Sequence, residues 1–166
     1  MFIKLLKVVV AILLFMTACS RSHNSDVPSV ADVTYRETSG SVSPDVAWDE
    51  KYTVSLTGLT FVRTGFSALT TVNTGTWTIN SYGTNESKLL SDLSTADVYG
   101  VVKTGQGSAP IGGGIKDYTI QYDNGDTREV IIGDGSIYSN AALLTTPIDN
   151  YLSNVVLPAG ASSRYK

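Results

Sequence analysis

The chain has 166 residues, with 12 Lys and Arg against 15 Asp and Glu, one histidine and one cysteine. It is acidic and has no basic cluster, which argues against nucleic acid as a partner. Plentiful Gly, Ser and Thr with only 16% charged residues point to strands and turns, and away from a coiled coil or helical bundle.

The first element is a leader. Lys4 and Lys7 precede an unbroken apolar run from Val8 to Met16. As a helix the run spans about 14 Å, against about 30 Å for a bilayer core. It is too short to span a membrane comfortably and suits a signal-peptide apolar region. Met16-Thr17-Ala18-Cys19 comes directly after it, and Cys19 is the sole cysteine. This arrangement resembles the processing site of bacterial lipoproteins. The resemblance implies cleavage after Ala18 and acylation of Cys19, with Met16 standing where leucine is commonest. Ser20, in place of an aspartate, implies by analogy an outer-membrane destination, on the periplasmic side or at the cell surface. The alternative is an ordinary secretory leader that leaves Cys19 as a plain thiol, with no partner for an internal disulfide. Without residues 1–18 the Lys and Arg number ten, and the net charge is −5.

Residues 19–30 are polar, aperiodic and interrupted by Pro28. They read as the lipid anchor and a flexible tether, and His23 falls within it. A single domain is expected over 31–160, long enough for a real core. Residues 161–166 read as a disordered tail. Val33–Thr38 alternates as a strand, and Lys51–Thr57 places Tyr52, Val54 and Leu56 on one face. Leu59–Arg63 continues the pairing after Gly58, and Thr76–Asn80 is a further strand. The period then changes. Leu89, Leu90 and Leu93 form a helical stripe, with Asn85 as N-cap and Glu86 in the first turn. Ser94-Thr95-Ala96-Asp97 reads as a second capping box, and Tyr99–Lys103 as a strand weakened by Gly100.

Asp117–Tyr122 and Thr127–Ile132 flank Asp123-Asn124-Gly125-Asp126. A two-residue Asn-Gly turn would put Val130 and Ile132 on the wrong face. A three-residue loop with Gly125 left-handed sets Tyr118 opposite Val130 and is preferred. Thr146-Pro147 reads as an N-cap and first helical residue. Ile148, Tyr151, Leu152 and Val155 fall at helical offsets beyond it. The order predicts an α+β fold, an antiparallel β-sheet with two short helices packed on it.

The chemistry is sparse. With His23 and Cys19 outside the domain, Ser-His-Asp and Cys-His catalysis have no base or thiol. Most zinc and copper sites lack ligands. Gly65-Phe66-Ser67-Ala68-Leu69 misses the last glycine of a nucleophile elbow. Asp49 and Glu50 are adjacent, so on a strand they point to opposite faces. Asp123, Asn124 and Asp126 resemble part of a calcium loop, and Asp117 and Asp134 meet at the hairpin's open end. The distal glutamate of such a loop is missing, and turn chemistry accounts for these residues. Gly112-Gly113-Gly114 precedes a strand and reads as a hinge or crossing point. Tyr82, Tyr99 and Tyr138 lie near loops and are candidate binding residues for sugar or peptide. No cofactor is expected.

The Tyr35-Arg36-Glu37-Thr38-Ser39-Gly40 strand end, the leucine-rich helix, Tyr-Thr-Ile-Gln-Tyr-Asp-Asn-Gly-Asp and a final helix resemble, in layout, the emfourin-type protease inhibitors. Those carry a paired glycine where this chain has Ser39-Gly40, and Phe61–Thr74 has no counterpart there. The resemblance implies an extracytoplasmic inhibitor. The expected role is thus a non-enzymatic, membrane-anchored envelope protein that binds a protein partner. A carbohydrate- or peptidoglycan-binding module and a protease inhibitor are the alternatives. Cys19→Ala is expected to release the protein from the membrane fraction. Retention of the variant in sedimented envelopes would rule out the anchor.

Overall fold

The structure is a computed structural model that describes residues 28–80 and 84–166; Cys19, Tyr82 and the expected tether up to residue 27 lie outside the described residues, whereas Val30, expected to end the tether, is buried and opens the first strand. The strands of the main sheet are β1 (Val30–Thr38), β2 (Trp48–Ser55), β3 (Gly58–Gly65), β4 (Gly75–Ile79), β6 (Lys116–Tyr122) and β7 (Thr127–Ile132). They form one six-stranded sheet in the order β4-β3-β2-β1-β6-β7, antiparallel at every pairing. A second sheet of two strands joins β5 (Val102–Gln106) to β8 (Ser136–Ser139). The helices are α1 (Thr84–Thr95), α2 (Ala142–Ser153) and the short α3 (Ala159–Ser162). The fold is α+β, with α1 and α2 packed together on one face of the large sheet.

Register decides what each face carries, because neighbours directly opposite share a face. Trp77, Phe61, Tyr52, Tyr35 and Tyr118 stand opposite one another across five strands. Their rings touch in sequence, with centroids 4.5–6.0 Å apart. The next row on that face, Ile79, Leu59, Val54, Val33 and Ile120, meets Leu89, Leu90 and Leu93 of α1 and Leu144 and Ile148 of α2 in the core. The other face carries Thr78, Thr60, Thr53, Thr34 and Thr119 in an unbroken row. These threonines are half-buried or exposed. β-branched residues suit a pleated surface that is wetted on one side.

The β6–β7 hairpin has the register the apolar face demands. Tyr118 pairs with Val130, and Gly125 is left-handed at φ +88°. The Gly125 amide donates to the Tyr122 carbonyl, closing a tight turn before the glycine bulge.

Several expectations need correction. Leu56 lies in the β2–β3 turn and is exposed, because Ser55 already pairs with Gly58. Asn85 falls inside α1, which begins at Thr84. Ser94 builds no capping box: its hydroxyl donates to the Leu90 carbonyl and accepts the Val30 amide. Beyond α1 the chain makes a 3-10 turn over Val98–Gly100, without a side-chain cap from Asp97. α2 starts at Ala142 and carries Pro147 inside it. Leu144 and Ile148, four residues apart, are both buried in the core, and this packing outweighs the hydrogen bond that proline removes. Residues 161–166 are not a free tail. Val72 bridges Tyr165, and Lys166 donates its amide to the Thr71 carbonyl.

The two faces predict unequal sensitivity. Phe61→Ala removes a fully buried ring and is expected to cost about 3–5 kcal/mol. Thr60→Ala, one residue away on the wetted face, is expected to stay within about 0.5 kcal/mol. Urea unfolding of both variants measures this, and equal losses would contradict the assigned register.

Candidate functional site

α1 begins beyond β4, and its leucine stripe turns inward. Glu86 lies four residues before Leu90 and three before Leu89, so it shares the inward face and is only 5% exposed. Tyr151 of α2 comes from the opposite wall and donates its hydroxyl to Glu86 Oε1 at 2.6 Å. Burial first, and then this bond, raise the Tyr151 phenol well above its ordinary pKa.

The two helices do not close over the end of β3 and β4. They leave a cleft of about 760 Å³, floored by Leu59, Ile79 and Leu89 and walled by Val155 and Val156. Asn85, Asn150 and Asn154 also line it. On its α1 side, Lys88 and Asp92 form an exposed ion pair at 2.6 Å. An apolar floor with a few polar groups above it is the usual chemistry of a ligand site.

A second polar cluster closes the other end of the same face. Arg63 and Glu50 stand opposite on β3 and β2, both buried. Glu50 Oε1 accepts Arg63 Nε at 2.6 Å and Arg164 Nε at 2.9 Å, and Oε2 accepts Arg164 Nη2 at 2.9 Å. The remaining Arg63 nitrogens donate to the carbonyls of Ala161, Ser163 and Asn73. Arg164 also lies 3.9 Å over the Trp48 ring, and its hydrogen bond to Glu50 raises its pKa. Both Glu50 oxygens are engaged by guanidinium groups, so the cluster acts as a clasp for the C-terminal segment. Asp49, as its position requires, turns to the other face and pairs with Arg36.

The remaining sequence candidates do not converge on a site. Tyr99 stacks on Tyr122 at 5.1 Å, and the Arg128 guanidinium lies 4.4 Å over it. Tyr138 is half-buried against the core, and its hydroxyl accepts the Ile131 amide at 3.2 Å. Both rings are structural in this setting. Asn124 and Asp134 engage the main chain of Asp126 and Ser136 in local turns. Ser67 accepts the Leu69 amide in the same way. Gly114 is a crossing point, where a Cβ would stand 2.3 Å from the Thr38 carbonyl oxygen. Among the described residues no three His, Cys, Asp or Glu side chains are grouped so as to hold a metal ion. No described helix is long and apolar enough to cross a membrane.

No family model matches the chain, no curated protein matches it, and no solved structure matches its fold. The layout shared with emfourin-type inhibitors therefore carries no family assignment. Glu86 was legible only as a first-turn acid; its offsets to Leu89 and Leu90 were the available sign of burial.

The tyrosines predict an alkaline limit. Burial raises Tyr52 to about 12, and Tyr35, Tyr118 and Tyr151 are raised further, by burial and then by bonds to Glu37, Asp149 and Glu86. In the unfolded chain these phenols ionise near 10.0. The folded state then holds more protons, so stability falls as pH rises past about 10. Urea midpoints measured from about pH 8 to pH 11 are expected to be flat and then drop. A midpoint that rises above about pH 10 would contradict the buried phenols.

Proposed function

We propose that this chain is a lipid-anchored protein of the bacterial outer membrane whose domain binds a protein partner without turning it over. The cleft between α1, α2 and the β4 end of the sheet carries this reading. Its apolar floor can take a partner's side chains, and the asparagines that line it can bond main-chain amides. The best-buried carboxylates, Glu50 and Glu86, are tied into arginine and tyrosine contacts, which favours binding over hydrolysis. The leader and Cys19 supply the anchor in this reading, and the tether holds the domain off the bilayer.

A carbohydrate-binding role has less support. Tyr99 is stacked on Tyr122 with the Arg128 guanidinium against it, and Tyr138 is half-buried against the core, so both rings are already engaged. A protease-inhibitor role is one version of protein binding and needs no separate site.

The test is photo-crosslinking of the lipidated protein in its native envelope, with the crosslinker placed at Asn154 or, as a control, at Thr53 on the wetted face. One dominant protein partner from Asn154, and not from Thr53, is expected. Capture of glycan-linked material alone would replace this reading with the carbohydrate one. Capture of nothing from Asn154 would remove the cleft as the site.

A further inference from the structure

The β4 edge of the sheet is open, and the hydrogen-bond phase shows which groups it presents. The Ser39 amide donates to the Trp48 carbonyl, so Ser39 and Trp48 are a hydrogen-bonded pair. Bonded pairs alternate along an antiparallel ladder. In the β1–β2 register, Glu37/Glu50 and Tyr35/Tyr52 are therefore also bonded pairs. That leaves Lys51 and Thr53 to bond Val62 and Thr60. Leu59, Phe61 and Arg63 must then bond Ile79, Trp77 and Gly75. The main-chain N–H and C=O of Thr76 and Thr78 thus point away from the sheet. Among the described residues no hydrogen bond to them is found.

This edge is also undefended. Gly75-Thr76-Trp77-Thr78-Ile79 has no charge, no proline and no bulge, the usual means of blocking strand addition. The opposite edge differs: β7 carries Arg128 and Glu129, and the Ile131 amide is capped by Tyr138.

From these observations, and resting on the protein-binding reading above, we infer that the partner supplies an extended segment that pairs with β4 as a seventh strand. Main-chain bonds to Thr76 and Thr78 hold it, and every second side chain falls on the covered face. The residue beside Ile79 then stands at the mouth of the cleft that Ile79 floors. The segment required is uncharged over about five residues and apolar at alternate positions. A second copy of this chain fits less well. Five residues of edge span about 17 Å and alone do not approach the roughly 800 Å² per partner of a stable dimer. Pairing β4 with β4 also leaves the cleft unfilled.

The test uses the full mature, acylated protein in detergent micelles and an acetylated, amidated peptide that alternates valine and threonine between terminal lysines. Amide exchange by NMR is the readout. At about 1 mM peptide, exchange at Thr76 and Thr78 is expected to slow roughly tenfold, with shifts in the methyl groups of Leu89 and Val155. Thr78→Pro removes one outward N–H but no bond to β3, a position where edge strands tolerate proline; it is expected to abolish the slowing. Asn150→Trp, which fills the cleft, should abolish the methyl shifts if Thr78→Pro fails to fold. Unchanged exchange at both threonines, slowing at Thr76 that persists in Thr78→Pro, or methyl shifts that persist in Asn150→Trp overturns the inference. Slow exchange before peptide is added, growing with protein concentration, also overturns it in favour of self-pairing. A partner crosslinked at Asn154 with no peptide effect leaves the protein-binding reading standing without the edge. A peptide effect with no crosslinked partner supports the edge and removes that reading.

Discussion

Five aromatic rings, from Trp77 through Phe61, Tyr52 and Tyr35 to Tyr118, lie side by side across five strands, and most of the architecture depends on where they sit. Each ring occupies the position directly opposite its neighbour, so a slip of one residue in any strand would turn that strand's rings into water. Burial of this row therefore sets the register between strands that are far apart in the chain. The same parity places the apolar row of Val33, Val54 and Leu59 under the helices and the threonine row on the far side. A sheet assembled this way needs cover on one face only, and the two main helices supply part of it.

The rest of the cover comes from the C-terminal segment. Arg63 sits on the covered face where the aromatic row ends, and a buried guanidinium is tolerable only when its donors are met. Glu50 meets one of them, and carbonyls of Asn73, Ala161 and Ser163 meet others. Arg164 then completes Glu50 and lies on Trp48. The result is a satisfied network that draws the last residues of the chain across the sheet. Such networks add geometric definition more reliably than net stability.

With that end closed, the opening falls at the other end, where residues of α1 and α2 line a cleft over Leu59 and Ile79. Glu86 and Tyr151 bridge the helices inside it. The cleft adjoins the β4 edge, where among the described residues neither a charge nor a capping group is found. An apolar cavity beside unpaired main-chain donors and acceptors suits an extended polypeptide better than a small polar solute.

The amino-acid sequence by itself determined the α+β class, the main strands, the leucine stripe of α1 and the β6–β7 hairpin with its left-handed Gly125. These are signals of period and of local turn chemistry, readable within a few residues. The short helix of Ile148, Tyr151 and Leu152 was equally legible, although its start was not. Thr146-Pro147 has the form of a local helix start, and only the burial of Leu144 moved that start to Ala142. Tyr99 and Tyr138 looked available because loop position is local, whereas Arg128, Tyr122 and Ile131 reach them from other elements. Strand order, the clasp of Arg63 and Arg164 on Glu50, the burial of Glu86 and the open edge of β4 were decided only by the tertiary structure. Each depends on which strand is whose neighbour, and that choice is made by burial across long chain separations, for which no short stretch of sequence carries a signal.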